Sequence, residues 1–142
     1  EMYPEVKLVV SAELYGFSGY KKIKKSVKTG ALLIEDAAEA MGATWDGKQC
    51  GSYGDYAAVS YNGNKIKQEV WWMFTENDLE VANKARKWST QAREAAAWYQ
   101  HEEVGYNYRM SNVIAGIIRG QYNYLEEHIA QKKVVYVRYK KA

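Results

Sequence analysis

The sequence predicts an α/β fold: a single domain with an about four-stranded mixed sheet, three strands parallel plus one antiparallel, and helices packed on it. Three observations lead there. Two apolar, β-rich runs, EVKLVVSAEL (5–14) and ALLIED (31–36), flank a short helical stretch, which is the pattern of a β-α-β unit with a right-handed crossover. A further pair of strand-like runs, YAAVSY (56–61) and EVWWMFTEN (69–77), follow each other too closely for a parallel return, so the last strand should be antiparallel. A length of 142 residues, 47% hydrophobic and 26% charged, suits one soluble globule with its own core.

Taken in order, the first strand ends at the turn signal YGFSG. YKKIKKSVKTG (20–30) reads as a lysine-rich helix closed by Gly30. After ALLIED, the segment AAEAMGA (37–43) continues as a helical turn or two. TWDGKQCGSYGD (44–55) is turn chemistry, with DG, CG and YG each placing a glycine where the chain bends. Asn77, with Glu80 three residues on, makes a capping-box start for a helix through DLEVANKARKWSTQAREAAAWY. HEEVGYNY (101–108) is a loop. A last long helix starts at Ser111 and carries Ile114, Ile118, Leu125, Ile129 and Tyr136 as one apolar stripe.

Composition narrows the function. The net charge of +3 is too small to point to nucleic acid, and the lysines of 20–28 and 131–142 read as solvated helix faces rather than a phosphate stripe. No apolar run approaches the ~18 residues of a bilayer span, and no leader opens the chain, so a cytoplasmic protein without membrane partners is expected. Cys50 is the one cysteine, which excludes an intramolecular disulfide framework. His101 and His128 lack metal-ligand spacing, and no metal is expected. The 13 Tyr and 5 Trp against 2 Phe suit half-buried surfaces and interfaces.

Ligands of open parallel sheets collect outside the carboxyl ends of the strands. The second strand ends at Asp36 and the third at Ser60, and Lys65 follows on the adjoining NGN turn. A carboxylate, a hydroxyl and a lysine on one rim match the needs of pyridoxal phosphate: a partner for the pyridine nitrogen, a donor to the phosphate, and a Schiff-base amine. The plainer alternatives stay open on spacing alone. Asp36 caps a helix, Ser60 ends a strand, and Lys65 is a turn lysine.

Two blocks, EDAAEAMGATWDGKQCGSYGDYAAVSYNGNKI (35–66) and HEEVGYNYRMSNVIAGIIRGQ (101–121), resemble the DegT/DnrJ/EryC1/StrS family, with ELYG (13–16) and ARKW (85–88) in the expected order. The family comprises pyridoxal-phosphate-dependent sugar aminotransferases of fold type I, and the resemblance covers nearly the whole chain. It implies that this chain is part of a fold-type-I large domain. It further implies that Lys65 is the Schiff-base lysine, that Asp36 pairs with the pyridinium nitrogen, and that Glu39 sits beside the ring and the substrate. Ser60 is then the phosphate-binding hydroxyl, and Asn107 reaches towards the phosphate of the partner subunit's site. Lys65, where the family's dehydratases have histidine, favours transamination.

The sequence also departs from the family. The chain is shorter than its members and begins just ahead of a strand, as an excised piece would. KQEVWWMF places Trp71 and Trp72 where the family has glycines, and Glu13 stands where it has His or Asn. Aromatic and charged side chains are one way to cover orphaned sheet edges. The expected function is therefore an engineered or truncated scaffold of one domain, residues 1–142, derived from such an aminotransferase and lacking efficient catalysis. It is expected to form a homodimer. The alternative is a working pyridoxal-phosphate-dependent transferase that moves an amino group from glutamate to a nucleotide-linked keto-sugar.

Overall fold

A computed structural model describes residues 3, 5–17, 19, 23, 30–61, 72–76 and 78–142, with the backbone alone over 72–76. Its main sheet holds β1 (Leu8–Ala12), β2 (Leu32–Asp36), β5 (Tyr56–Ser60) and β6 (Trp72–Glu76) in the order β1-β2-β5-β6. β1, β2 and β5 run parallel, and β6 is antiparallel to β5 with Ser60 opposite Trp72. This is the predicted mixed sheet. The helix expected over 20–30 lies outside the described residues apart from positions 23 and 30, and Gly30 takes φ +82°, a conformation that favours glycine.

Strand alternation gives the sheet two unlike faces. Leu33, Glu35 and Ala57 face inward and are buried, whereas Leu8, Val10 and Leu32 on the opposite face are 48%, 62% and 46% exposed. The inner face packs on the segment 37–54, where the described residues form a cluster of small side chains: Ala37, Ala40 and Cys50, with Ala43 and Val59 against them.

The segment 37–43 is not helical, contrary to the expectation. Two successive turns close instead, Ala40 N–H to Ala37 O at 3.1 Å and Ala43 N–H to Ala40 O at 2.9 Å. Gly42 then leaves helical space at φ +81°. The next stretch holds a small hairpin that the reading of plain turns missed, β3 (Thr44–Trp45) with β4 (Lys48–Gln49). Asp46 at φ 45° and Gly47 at φ 75° form its turn, both positive as a two-residue type I′ connection requires.

The helix expected to run to Tyr99 is half that length. α1 spans Leu79–Ser89, and its N-cap is Asp78, whose carboxylate accepts from Glu80 N–H at 2.8 Å and Val81 N–H at 3.4 Å. Asn77, the expected cap, lies outside the described residues. The helix stops because the chain turns left-handed at Gln91 (φ 69°) and Ala92 (φ 49°), with Ala92 N–H closing back on Lys87 O at 2.8 Å. Gln91 N–H goes to Tyr106 O at 2.9 Å, so a distant loop takes the donor that would have continued the helix.

Ser111 caps the next helix as expected, its hydroxyl accepting from Ile114 N–H at 3.3 Å. The single long helix is in fact two, α2 (Asn112–Tyr122) and α3 (Leu125–Lys141). The break tightens into an i→i+3 turn, Tyr124 N–H to Gln121 O at 3.0 Å. The expected stripe packs at Leu125 and Ile129, which lie over Gly42, while Tyr136 is 66% exposed.

Candidate functional site

The carboxyl ends of β1, β2 and β5 place three side chains in a row: Ala12, Asp36 and Ala58 share one register level. Asp36 thus stands between two alanines on the outer face, leaving a flat ledge on either side of its carboxylate. Its backbone is fixed by both neighbours, through Glu13 N–H to Asp36 O at 3.0 Å and Ala37 N–H to Ala58 O at 2.9 Å. Its side chain is exposed and accepts from Ala38 N–H at 3.2 Å through one oxygen. Ser60 lies two residues beyond Ala58 on the same strand and so shares this face.

Beside the ledge is a cleft of about 130 Å³ lined by Ala12, Glu13, Leu14, Asp36, Ala38 and Glu39. Glu39 reaches across its mouth, where its carboxylate accepts from Tyr15 N–H at 2.8 Å. Tyr15 has φ 55°, a left-handed conformation that costs an L-residue about 1–2 kcal/mol. Glu13 is buried, 2% exposed.

Of the residues singled out in the sequence, Asp36 and Glu39 meet in this cleft and Ser60 shares the sheet face. Lys65 lies outside the described residues. Asn107 is held elsewhere, in a loop laid along the end of α1, where it bridges to Thr90. Tyr106 N–H to Trp88 O (2.7 Å) and Tyr108 N–H to Ser89 O (2.9 Å) extend that zipper on both sides.

Two carboxylates that organise the frame were missed. Glu35 is buried at 2% exposure and accepts from Gly51 N–H at 2.8 Å, Tyr53 N–H at 2.5 Å and Gly54 N–H. It ties the loop 51–54 beneath the strand whose next residue is Asp36. Alternation was the available signal: in the dipeptide Glu35-Asp36 only one acid can face outward, so the other must find donors inside. Glu103 is the second. Both its oxygens lie 2.7 Å from Lys84 Nζ, and it also accepts from Trp88 Nε1 at 2.8 Å and pairs with Lys87 at 3.2 Å. Hydrogen bonds from Lys84 and then Trp88 hold its carboxyl down to about 2. Lys84, Lys87 and Trp88 are spaced i, i+3, i+4 on one face of α1, so this face anchors the loop that carries Asn107.

The donor set fits pyridoxal phosphate. An exposed carboxylate flanked by alanines can accept the N–H of a flat pyridinium ring, and a hydroxyl further along the same face can donate to a phosphate.

Comparison with known proteins identifies the family of the chain. The sequence profile of the DegT/DnrJ/EryC1/StrS aminotransferase family matches residues 3–142. EpsN of Bacillus subtilis, which carries the name of a pyridoxal phosphate-dependent aminotransferase by assignment alone, is 40% identical over 96% of this chain and 36% of its own length. The GDP-perosamine synthase of Caulobacter vibrioides is 38% identical over 93% of this chain and 36% of its own. Among solved structures, the aminotransferase TlmJ from Streptoalloteichus hindustanus superposes with a TM-score of 0.89 at 27% identity, covering 97% of this chain and 38% of that one. The chain spans about 36% of the length of the curated relatives it matches. By the match along almost all of its residues, this chain belongs to the DegT/DnrJ/EryC1/StrS aminotransferase family.

Proposed function

We propose that the chain is the cofactor platform of a pyridoxal-phosphate-dependent aminotransferase that acts on a nucleotide-linked keto-sugar with glutamate as donor. The observation that carries the reading is the ledge: Asp36 between Ala12 and Ala58 at the carboxyl ends of three parallel strands. Asp36 would hold the proton on the ring nitrogen, and Ser60 would donate to the phosphate. Glu39 would stand at the ring edge beside the substrate. Lys65 would hold the cofactor covalently and move the substrate proton, and Asn107 would reach the phosphate at the partner subunit's site in a homodimer. Bound pyridoxal phosphate supplies the electron sink that amino-group transfer requires.

On its own, this 142-residue domain is better described as a scaffold than as an efficient catalyst. The outer sheet face that carries Asp36 leaves Leu8, Val10 and Leu32 open to water. A parallel sheet of this kind normally has both faces covered. Deliberate resurfacing has no observation behind it, since Trp71 lies outside the described residues and Trp72 is described by its backbone alone.

Incubation with pyridoxal phosphate followed by borohydride tests the reading. The expected result is a mass adduct on Lys65 that Lys65→Ala abolishes, without sugar turnover by the short chain. Absence of a Lys65-specific adduct ends the cofactor assignment, and efficient turnover ends the scaffold assignment. A concentration-independent monomer in light scattering removes the homodimer.

A further inference from the structure

Glu35 and Asp36 are consecutive acids in opposite environments. Asp36 faces outward on the ledge, and its side chain accepts from Ala38 N–H at 3.2 Å, a long bond to one oxygen. Glu35 faces inward, is 2% exposed, and uses both oxygens. One accepts from Gly51 N–H at 2.8 Å, the other from Tyr53 N–H at 2.5 Å and from Gly54 N–H. The loop is shaped for this contact. Gly51 takes φ +84°, and a Cβ on Gly54 would lie 2.7 Å from Leu33 O and 3.3 Å from Glu35 Cγ, so a side chain there would push the amides away.

Burying a carboxylate costs desolvation that its hydrogen bonds only partly offset, so the arrangement is a weak device for stability alone. What it adds is direction: three N–H groups converging on two oxygens fix the backbone of β2 at position 35. The next residue is Asp36, whose carbonyl is held from the side by Glu13 N–H at 3.0 Å. An exposed carboxylate that must meet one ring atom needs its backbone held in this way. Resting on the function proposed above, we infer that Glu35 is a positioning residue, which from beneath the sheet holds Asp36 where its carboxylate meets the ring N–H of the cofactor.

The test uses the complete gene product freed of bound cofactor and two probes, 4′-deoxypyridoxine 5′-phosphate and its 1-deaza analogue, in which a C–H replaces the ring nitrogen. Neither carries the aldehyde, so Lys65 forms no bond to them and calorimetry reads the ring and phosphate contacts. The wild type should bind the pyridine probe more tightly than the deaza probe. Glu35→Gln keeps the shape but sets an NH2 group against the loop amides. It should weaken the pyridine probe about three- to tenfold and change the deaza probe by less than about twofold. A residue that served the fold alone would shift both probes together or neither. Asp55→Asn is the matched control, because it disturbs the same layer at Leu33 N–H, near the opposite end of β2. It should leave the ratio of the two affinities unchanged.

Reciprocity supplies a measurement that needs no variant. At equal occupancy of the wild type, the pyridine probe should slow amide exchange at Gly51, Tyr53 and Gly54 more than the deaza probe does. Equal losses for both probes in Glu35→Gln overturn the inference, as does a ratio shifted as far by Asp55→Asn, or loop protection indifferent to the ring nitrogen. A wild type that binds neither probe, or does not distinguish them, removes Asp36 from the proposed function, and the inference falls with it.

Discussion

The segment 31–61 and the helices of 112–141 solve the same problem in opposite ways. In the first, carboxylates satisfy the backbone: buried Glu35 takes three N–H groups of the 51–54 loop, and exposed Asp55 accepts from Leu33 N–H at 2.7 Å. In the second, no residue of α2 or α3 is buried, and Val134, Val135, Tyr136, Val137 and Tyr139 are all exposed. The strand-and-turn layer ties its own backbone together while leaving Leu32 open on its outer face, whereas the helical arm exposes apolar side chains along its length. The candidate site sits on the first, where hydrogen bonds rather than bulk hold the geometry.

Four measurements bear on this contrast, beginning with the largest effect. Glu35→Ala strands the loop N–H groups in a buried layer and should cost about 3 kcal/mol or more, seen as a lower urea midpoint and faster amide exchange at 51–54. A midpoint near the wild-type value would mean that the layer is not held by this carboxylate. Gly42→Ala should cost about 2 kcal/mol, combining left-handed strain with overlap. Its added Cβ would fall 2.4 Å from Ile129 Cδ1. Pairing it with Ile129→Ala should recover only the overlap part, which separates strain from packing at a place where the two regions touch.

The third effect depends on pH. The folded Glu103 carboxyl, at about 2, lies below its ordinary value of 4.5, so its ion pairs contribute fully above that value and fade as pH falls towards 2. Wild-type stability should therefore decline more steeply than that of Glu103→Gln between those two limits in acid titration, and parallel declines would remove Glu103 as the loop anchor. The smallest effect is expected on the helical arm. Tyr136→Ser should change the stability of the 142-residue chain by less than about 0.5 kcal/mol, because its ring is already largely in water. A larger loss would show that the arm is packed after all.

The sheet could be read in advance because connection length and alternation are local: a helix-length gap after β1 and a short one after β5 dictate parallel and antiparallel pairing. Helix ends were less legible. QAREAAAWY has helix-forming composition, yet the Tyr106 carbonyl and the left-handed pair Gln91-Ala92 draw it into a loop, a tertiary choice that no local window contains. In the site, Asp36 was readable from a strand end, and Glu39 only from the resemblance to the family. Glu103 and the Tyr15 turn were not, and for Glu35 alternation signalled burial but not its partners. The roles of Glu35, Glu103 and Tyr15 depend respectively on loop amides 16 to 19 positions away, on a face of α1, and on a carboxylate 24 positions along.

Cys50 lies in the small-residue core, 5% exposed, and is the only thiol of the sequence. A maleimide or disulfide probe can reach it only when the layer beneath the sheet parts, so the labelling rate becomes a clock for that single opening event. No engineered handle is required to time it.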